Sequence, residues 1–158
     1  MSTLVPGDLA PLFTLPDQDG RSVSLGALGP GRVLVYFYPA ALTPGCTTEA
    51  IDFTTHLDRF RQAGIEVVGV SPDPVEKLQR FTEAHALRVR LLADPAREVI
   101  EAYGAWGVKM LYGKQVAGVI RSTFVVDVAA TSEARIVSAD YGVRATGHVE
   151  RMLAQLGI

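Results

Sequence analysis

The chain of 158 residues has one cysteine, Cys46, and that scarcity restricts its chemistry more than any other feature. A lone thiol closes no internal disulfide and leaves no Cys-x-x-Cys redox pair, which fits a reducing cytoplasm. Histidine is also scarce. His56, His85 and His148 lie far apart, and none of them shows a ligand spacing such as His-x-x-x-His. They read as surface or partly buried side chains, so neither a metal site nor a cofactor is expected. Net charge is only −2, with Lys and Arg scattered, which argues against a nucleic-acid partner. The longest apolar run, Val33–Leu42, is too short to span a bilayer and contains Pro39. The stretch Met1–Asp8 lacks a basic region and an apolar core, so no signal peptide is expected. Repeats, low-complexity segments and linkers are absent. With 48% hydrophobic residues the chain can bury a sizeable core, and a single domain over residues 1–158 is expected.

What is present is an alternation of strand and helix signals. Phe13–Leu15 and Ser22–Leu25 flank the turn-rich Pro16-Asp-Gln-Asp-Gly20, which predicts an N-terminal β-hairpin. Val33–Tyr38 is continuously apolar, as a strand covered on both faces should be. Pro44–Gln62 reads as a helix with Thr43 as its cap, Pro44 at its first position and Gly64 at its end. Ile65–Val70 is a second buried strand. A helix over Pro74–His85, capped by Asp73 or Ser71, carries Val75, Leu78 and Phe81 on one stripe. Leu91-Leu92 reads as a short strand and Ala96–Tyr103 as a helix. Gly104–Gly118 has no clear period and reads equally as a rim, a lid or an unresolved element. Strands over Ile120–Val128 and Ala134–Ser138 precede a terminal helix, Val143–Leu156, with Val149, Met152, Leu153 and Leu156 on its apolar face. The expected class is α/β, with a central mixed sheet flanked by helices.

Cys46 falls in the first turn of the predicted helix Pro44–Gln62. Unpaired backbone N–H groups and the positive end of the helix dipole favour thiolate there. The same residue tops the inward stripe Ala50, Phe53, Leu57 and Phe60, so an inert buried thiol fits the spacing equally well. Pro39 and Pro44 stiffen the preceding turn. Gly45 lets a small ligand approach beside the sulfur. The Thr43 hydroxyl can bond to the sulfur or to a ligand, or it can cap the helix. Glu49, one turn on, would disfavour a thiolate unless a cation stood between them, and it reads otherwise as a solvated acid of the first turns.

Pro39-Ala-Ala-Leu-Thr43-Pro-Gly-Cys46 resembles the Pro-x-x-x-Thr-x-x-Cys signature of peroxiredoxins. The longer string from Val35 to Ala50 resembles the bacterioferritin comigratory protein group, also called peroxiredoxin Q. Further segments in matching order are Gly7–Pro11, Leu15–Gly20, Gly69–Asp73, Leu91–Asp94 and Arg121–Asp127. The resemblance implies a thioredoxin-like fold and thiol peroxidase activity on hydrogen peroxide and organic hydroperoxides. It implies Cys46 as the attacking cysteine, Thr43, Pro39 and Arg121 in its site, and Glu49 orienting the arginine. Many members carry a second, resolving cysteine five residues after the first or on the next helix. Here Ile51 holds the first position and Pro74–His85 contains none, so the chain resembles a one-cysteine member recycled by an external thiol such as thioredoxin, or glutaredoxin with glutathione. The group is often monomeric and sometimes dimeric, and a monomer or weak dimer is expected.

The energetics favour a site with an arginine. An unperturbed thiol is about 3% ionised at pH 7, and raising this to about 90% takes about 3.4 kcal/mol. A helix start supplies about 0.3–1 kcal/mol. A guanidinium at about 4 Å supplies ~4 kcal/mol at an effective dielectric of 20. Ionisation also weakens the nucleophile, so holding the peroxide and stabilising its leaving oxygen must contribute the larger share. Two other readings use the same thiol: a peroxide sensor and a thiol-disulfide exchange partner. A cysteine hydrolase would require a histidine base, and no motif places one beside Cys46.

Overall fold

The computed structural model describes residues 3–158, apart from the Leu111 side chain. Met1 and Ser2, part of the stretch read above for a signal, lie outside the described residues. The expected hairpin forms from β1 (Thr14–Pro16) and β2 (Ser22–Ser24), paired antiparallel around the Asp17–Gly20 turn. β3 (Gly31–Phe37) leads into α1 (Pro44–Gln62), β4 (Ile65–Ser71), α2 (Val75–His85), β5 (Arg90–Ala93) and α3 (Glu98–Ala102). β6 (Trp106–Leu111) and β7 (Lys114–Val119) make a separate antiparallel pair, followed by β8 (Ser122–Val128), β9 (Ala134–Tyr141) and α4 (His148–Leu156).

The main sheet runs β5-β4-β3-β8-β9. β3, β4 and β5 are parallel, while β8 and β9 run antiparallel, which makes the sheet mixed. β3 is central and apolar on both faces because both are covered. Leu34, Tyr36 and Tyr38 meet α1, α2 and α4 on one side. Val33, Val35 and Phe37 meet the hairpin, Ile100 and Tyr103 on the other. Tyr36 stacks on Phe53 of α1 with ring centroids 4.4 Å apart. Its ring leaves no room for a side chain across the strand pair, since a Cβ at Gly69 would lie 2.6 Å from its Cζ. Among the described residues, no helix is long and apolar enough to cross a membrane.

Several expected boundaries and caps differ. Thr43 stands at the N-cap of α1, but its hydroxyl bonds to the Ala40 carbonyl at 2.7 Å instead of capping the helix. α2 starts at Val75 and is capped by neither Ser71 nor Asp73, because the Asp73 carboxylate turns inward to Ala41 N and Ser71 Oγ. α3 is shorter than expected. Arg97 is left-handed (φ 63°), and the Asp94-Pro95 turn comes before the helix, so the helix begins only at Glu98. The last helix starts at His148, since Val143 N bonds to Arg121 O and holds residues 143–147 as a loop. Gly104–Gly118, left open in the sequence, contains most of the β6–β7 hairpin. Its two-residue turn is Tyr112-Gly113 with φ 52° and 78°, the pair of positive values a type I′ turn requires.

Candidate functional site

β3 ends at Phe37, and Tyr38 N still bonds to Val70 O of β4 at 3.1 Å, which fixes where the chain leaves the sheet. The next turn is held from the side. Asp73 Oδ2 accepts from Ala41 N at 2.7 Å and from Ser71 Oγ at 2.8 Å, and Oδ1 pairs with Lys77 at 3.1 Å. Leu42 is left-handed (φ 66°), an unfavourable conformation for a branched side chain, and it turns the backbone into α1. Cys46 follows as the third helical residue, a free thiol only 2% exposed. It joins Tyr36, Tyr38, Ala50 and Phe53 in the core on the helical side of the sheet.

A purely apolar environment would make the thiol inert, but one cation reaches it. Arg121, just before β8, donates from Nη2 to Cys46 Sγ at 3.3 Å and from Nη1 to Glu49 Oε1 at 2.6 Å. Its planar fork thus ties the thiol to a carboxylate one turn further along α1. Burial opposes the arginine's charge. Glu49 and Cys46 outweigh that opposition and hold its pKa above the ordinary guanidinium range. Glu49 is wholly buried, so it is not a solvated acid of the first turns. The guanidinium between Glu49 and the sulfur counters the repulsion that two anions on one helix face would cause.

The second oxygen of Glu49 meets a residue that sequence reasoning missed. His148, the first residue of α4, places Nδ1 2.5 Å from Glu49 Oε2 and Nε2 2.6 Å from Thr123 Oγ1. It is 1% exposed, which corrects the surface or partly buried reading made for all three histidines. A signal was present: His148 lies four residues before Met152, on the apolar stripe of the last helix.

The other expected site residues sit in the turn and first helical turn around Cys46. Pro39 and Gly45 are half-buried and Thr43 is exposed. Thr43 has committed its proton to Ala40 O, which leaves its oxygen lone pairs free to accept. A Cβ added at Gly45 would lie 3.6 Å from Arg121 Nη2, so this position adjoins the guanidinium directly.

The sequence pattern of the AhpC/TSA family matches residues 6–131. A Mycobacterium tuberculosis protein named as a peroxiredoxin is 56% identical over 155 residues, covering 98% of this chain and 96% of its own. Escherichia coli peroxiredoxin Bcp is 46% identical over 127 residues, 80% of this chain and 81% of its own. The solved structure of Xanthomonas campestris bacterioferritin comigratory protein, a study of that protein's alkyl peroxide reduction activity, has a TM-score of 0.82. It is 34% identical and covers 92% of this chain and 90% of that one.

Proposed function

Since the chain belongs to the AhpC/TSA family and is a thiol-dependent peroxidase of the peroxiredoxin Q type, we propose that Cys46 is its peroxide-attacking residue. The observation that carries this is the Arg121 guanidinium 3.3 Å from the only sulfur of a cysteine in the chain. The Cys46 thiolate attacks one peroxide oxygen. The S–O bond forms, the O–O bond breaks, and water or an alcohol leaves with the peroxide's proton, while the sulfenate left on Cys46 takes a proton from solvent. Arg121 Nη2 and the first-turn N–H groups of α1 stabilise charge on the departing oxygen, and Thr43 Oγ1 accepts from the incoming hydroperoxide. Pro39 and Gly45 shape the approach, and Glu49 aims the arginine.

The resulting sulfenic acid has no internal partner, because Cys46 is the one cysteine of the chain: Ile51 holds one resolving position and Pro74–His85 contains none. An external thiol condenses with it, releasing water and leaving a mixed disulfide. A second thiol then frees Cys46, so each turnover converts one peroxide and two thiols into one alcohol, one water and one disulfide. Such a cycle depends on a thiol pool, which supports a cytoplasmic setting. Thioredoxin and glutaredoxin with glutathione are the reductants that fit, and hydrogen peroxide and organic hydroperoxides are the substrates. The chain assembles Cys46, Arg121 and Glu49 by itself, so one domain acting as a monomer or weak dimer suffices.

Steady-state peroxide consumption, run with each reductant system in turn, tests the reading. Cys46→Ser is expected to abolish turnover, and near wild-type activity in that variant would end the assignment. Consumption of only one peroxide per chain would instead indicate a sensor.

A further inference from the structure

We infer that His148 and Thr123 are positioning residues for the peroxidase site, acting on the thiol through Glu49 and Arg121. An unbroken chain of polar contacts connects them: Thr123 Oγ1 to His148 Nε2 at 2.6 Å, His148 Nδ1 to Glu49 Oε2 at 2.5 Å, Glu49 Oε1 to Arg121 Nη1 at 2.6 Å, and Arg121 Nη2 to Cys46 Sγ at 3.3 Å. A carboxylate only accepts, so Nδ1 carries a proton and donates to Glu49 Oε2, while Nε2 pairs with the Thr123 hydroxyl.

Packing alone does not account for this histidine. α4 presents Val149, Met152 and Leu153 to the core, and an aliphatic residue at position 148 would extend that face without the penalty of burying a polar ring. Instead both ring nitrogens are paired, and the ring stands edge-on to Phe53 with centroids 5.6 Å apart. Glu49 has two oxygens and two partners. With Nδ1 removed, Oε2 is left buried and unpaired, and the carboxylate relieves that by rotating or taking a proton. Either response loosens its hold on Nη1, and the guanidinium then loses its fixed aim at the sulfur. α4 is thereby made part of the site through its first residue, 99 positions beyond Glu49.

The inference rests on Cys46 being the nucleophile, and the experiment separates the two claims. His148→Leu removes both ring nitrogens, His148→Asn keeps an amide donor where Nδ1 stood, and Thr123→Val removes only the hydroxyl. Two readouts apply: alkylation of Cys46 against pH, and kcat/KM for peroxide. In His148→Leu we expect the alkylation midpoint to rise by about half a pH unit or more, with kcat/KM falling about tenfold. His148→Asn is expected to recover most of both. A folded His148→Leu with wild-type values, or an equal loss in His148→Asn, overturns the inference. If His148→Leu does not fold, Thr123→Val decides: a midpoint moved upward supports it, and an unmoved one overturns it. Should wild-type protein consume no peroxide while the midpoints still move, the peroxidase assignment of Cys46 fails and the relay stands.

Discussion

Among the described residues, Arg121 alone is bonded to both Cys46 and Glu49. It sets a positive charge against the thiol and is itself aimed by Glu49. Arg121→Ala is expected to move Cys46 alkylation to higher pH and to lower kcat/KM for peroxide by about 10²-fold, the cost typical of losing one preorganised donor. It should also destabilise the fold by about 3 kcal/mol or more, because Glu49 loses its buried ion-pair partner. Arg121→Lys should restore part of the stability and little of the rate, since one ammonium cannot hold sulfur and carboxylate in a planar fork. An unchanged alkylation profile in Arg121→Ala would remove Arg121 from the site. Cys46, Thr43, Pro39 and Glu49 were legible because they lie within eleven residues of one another and carry a spacing. Arg121 stands 75 residues beyond Cys46, and only the family resemblance connected it.

Elements contribute through where they end. The turn between β3 and α1 is irregular, with a left-handed Leu42, and Asp73, two residues past the end of β4, bonds to it at Ala41 N. Asp73→Ala leaves the buried Ala41 N–H without a partner. We expect a stability loss of about 1–3 kcal/mol, seen as a lowered Tm, together with weaker peroxidase activity as the turn carrying Thr43 relaxes. Full activity at an unchanged Tm would show that the turn holds itself. Sequence reasoning offered Asp73 or Ser71 as the cap of the helix over Pro74–His85, because a short polar side chain before a helix usually serves there. The competing acceptor site is an amide 32 residues away, which no local pattern reports. The β6–β7 hairpin escaped for a similar reason: its turn is Tyr-Gly, with Tyr112 96% exposed, in place of the usual Asn-Gly or Asp-Gly.

At the scale of the whole molecule, the sheet buries three tyrosines around the site and its opposite face. Burial raises the pKa of Tyr36, Tyr38 and Tyr103 well above the ordinary phenol range. In the unfolded chain they ionise near pH 10. Their contribution to stability is therefore complete below about pH 10 and is lost as pH rises above it, at up to about 1.4 kcal/mol per pH unit for each. Circular dichroism should show cooperative alkaline unfolding. Tyr38→Phe should make that pH dependence shallower without lowering stability at pH 7. Among the described residues Tyr38 Oη has no hydrogen-bond partner, so phenylalanine gives up none. An unaltered alkaline limb in Tyr38→Phe would count against this account. The order of strands and helices outside residues 104–119, the helix bearing Cys46 and the peroxidase signature were determined by sequence alone, because periodicity and the Pro-x-x-x-Thr-x-x-Cys spacing are local properties of the chain. Which charged groups meet the sulfur was decided only by tertiary structure. Pairing β3 with both β4 and β8, and packing α4 against α1, bring Asp73, Arg121 and His148 to one end of the sheet, and short-range electrostatics then acts between residues up to 99 positions apart.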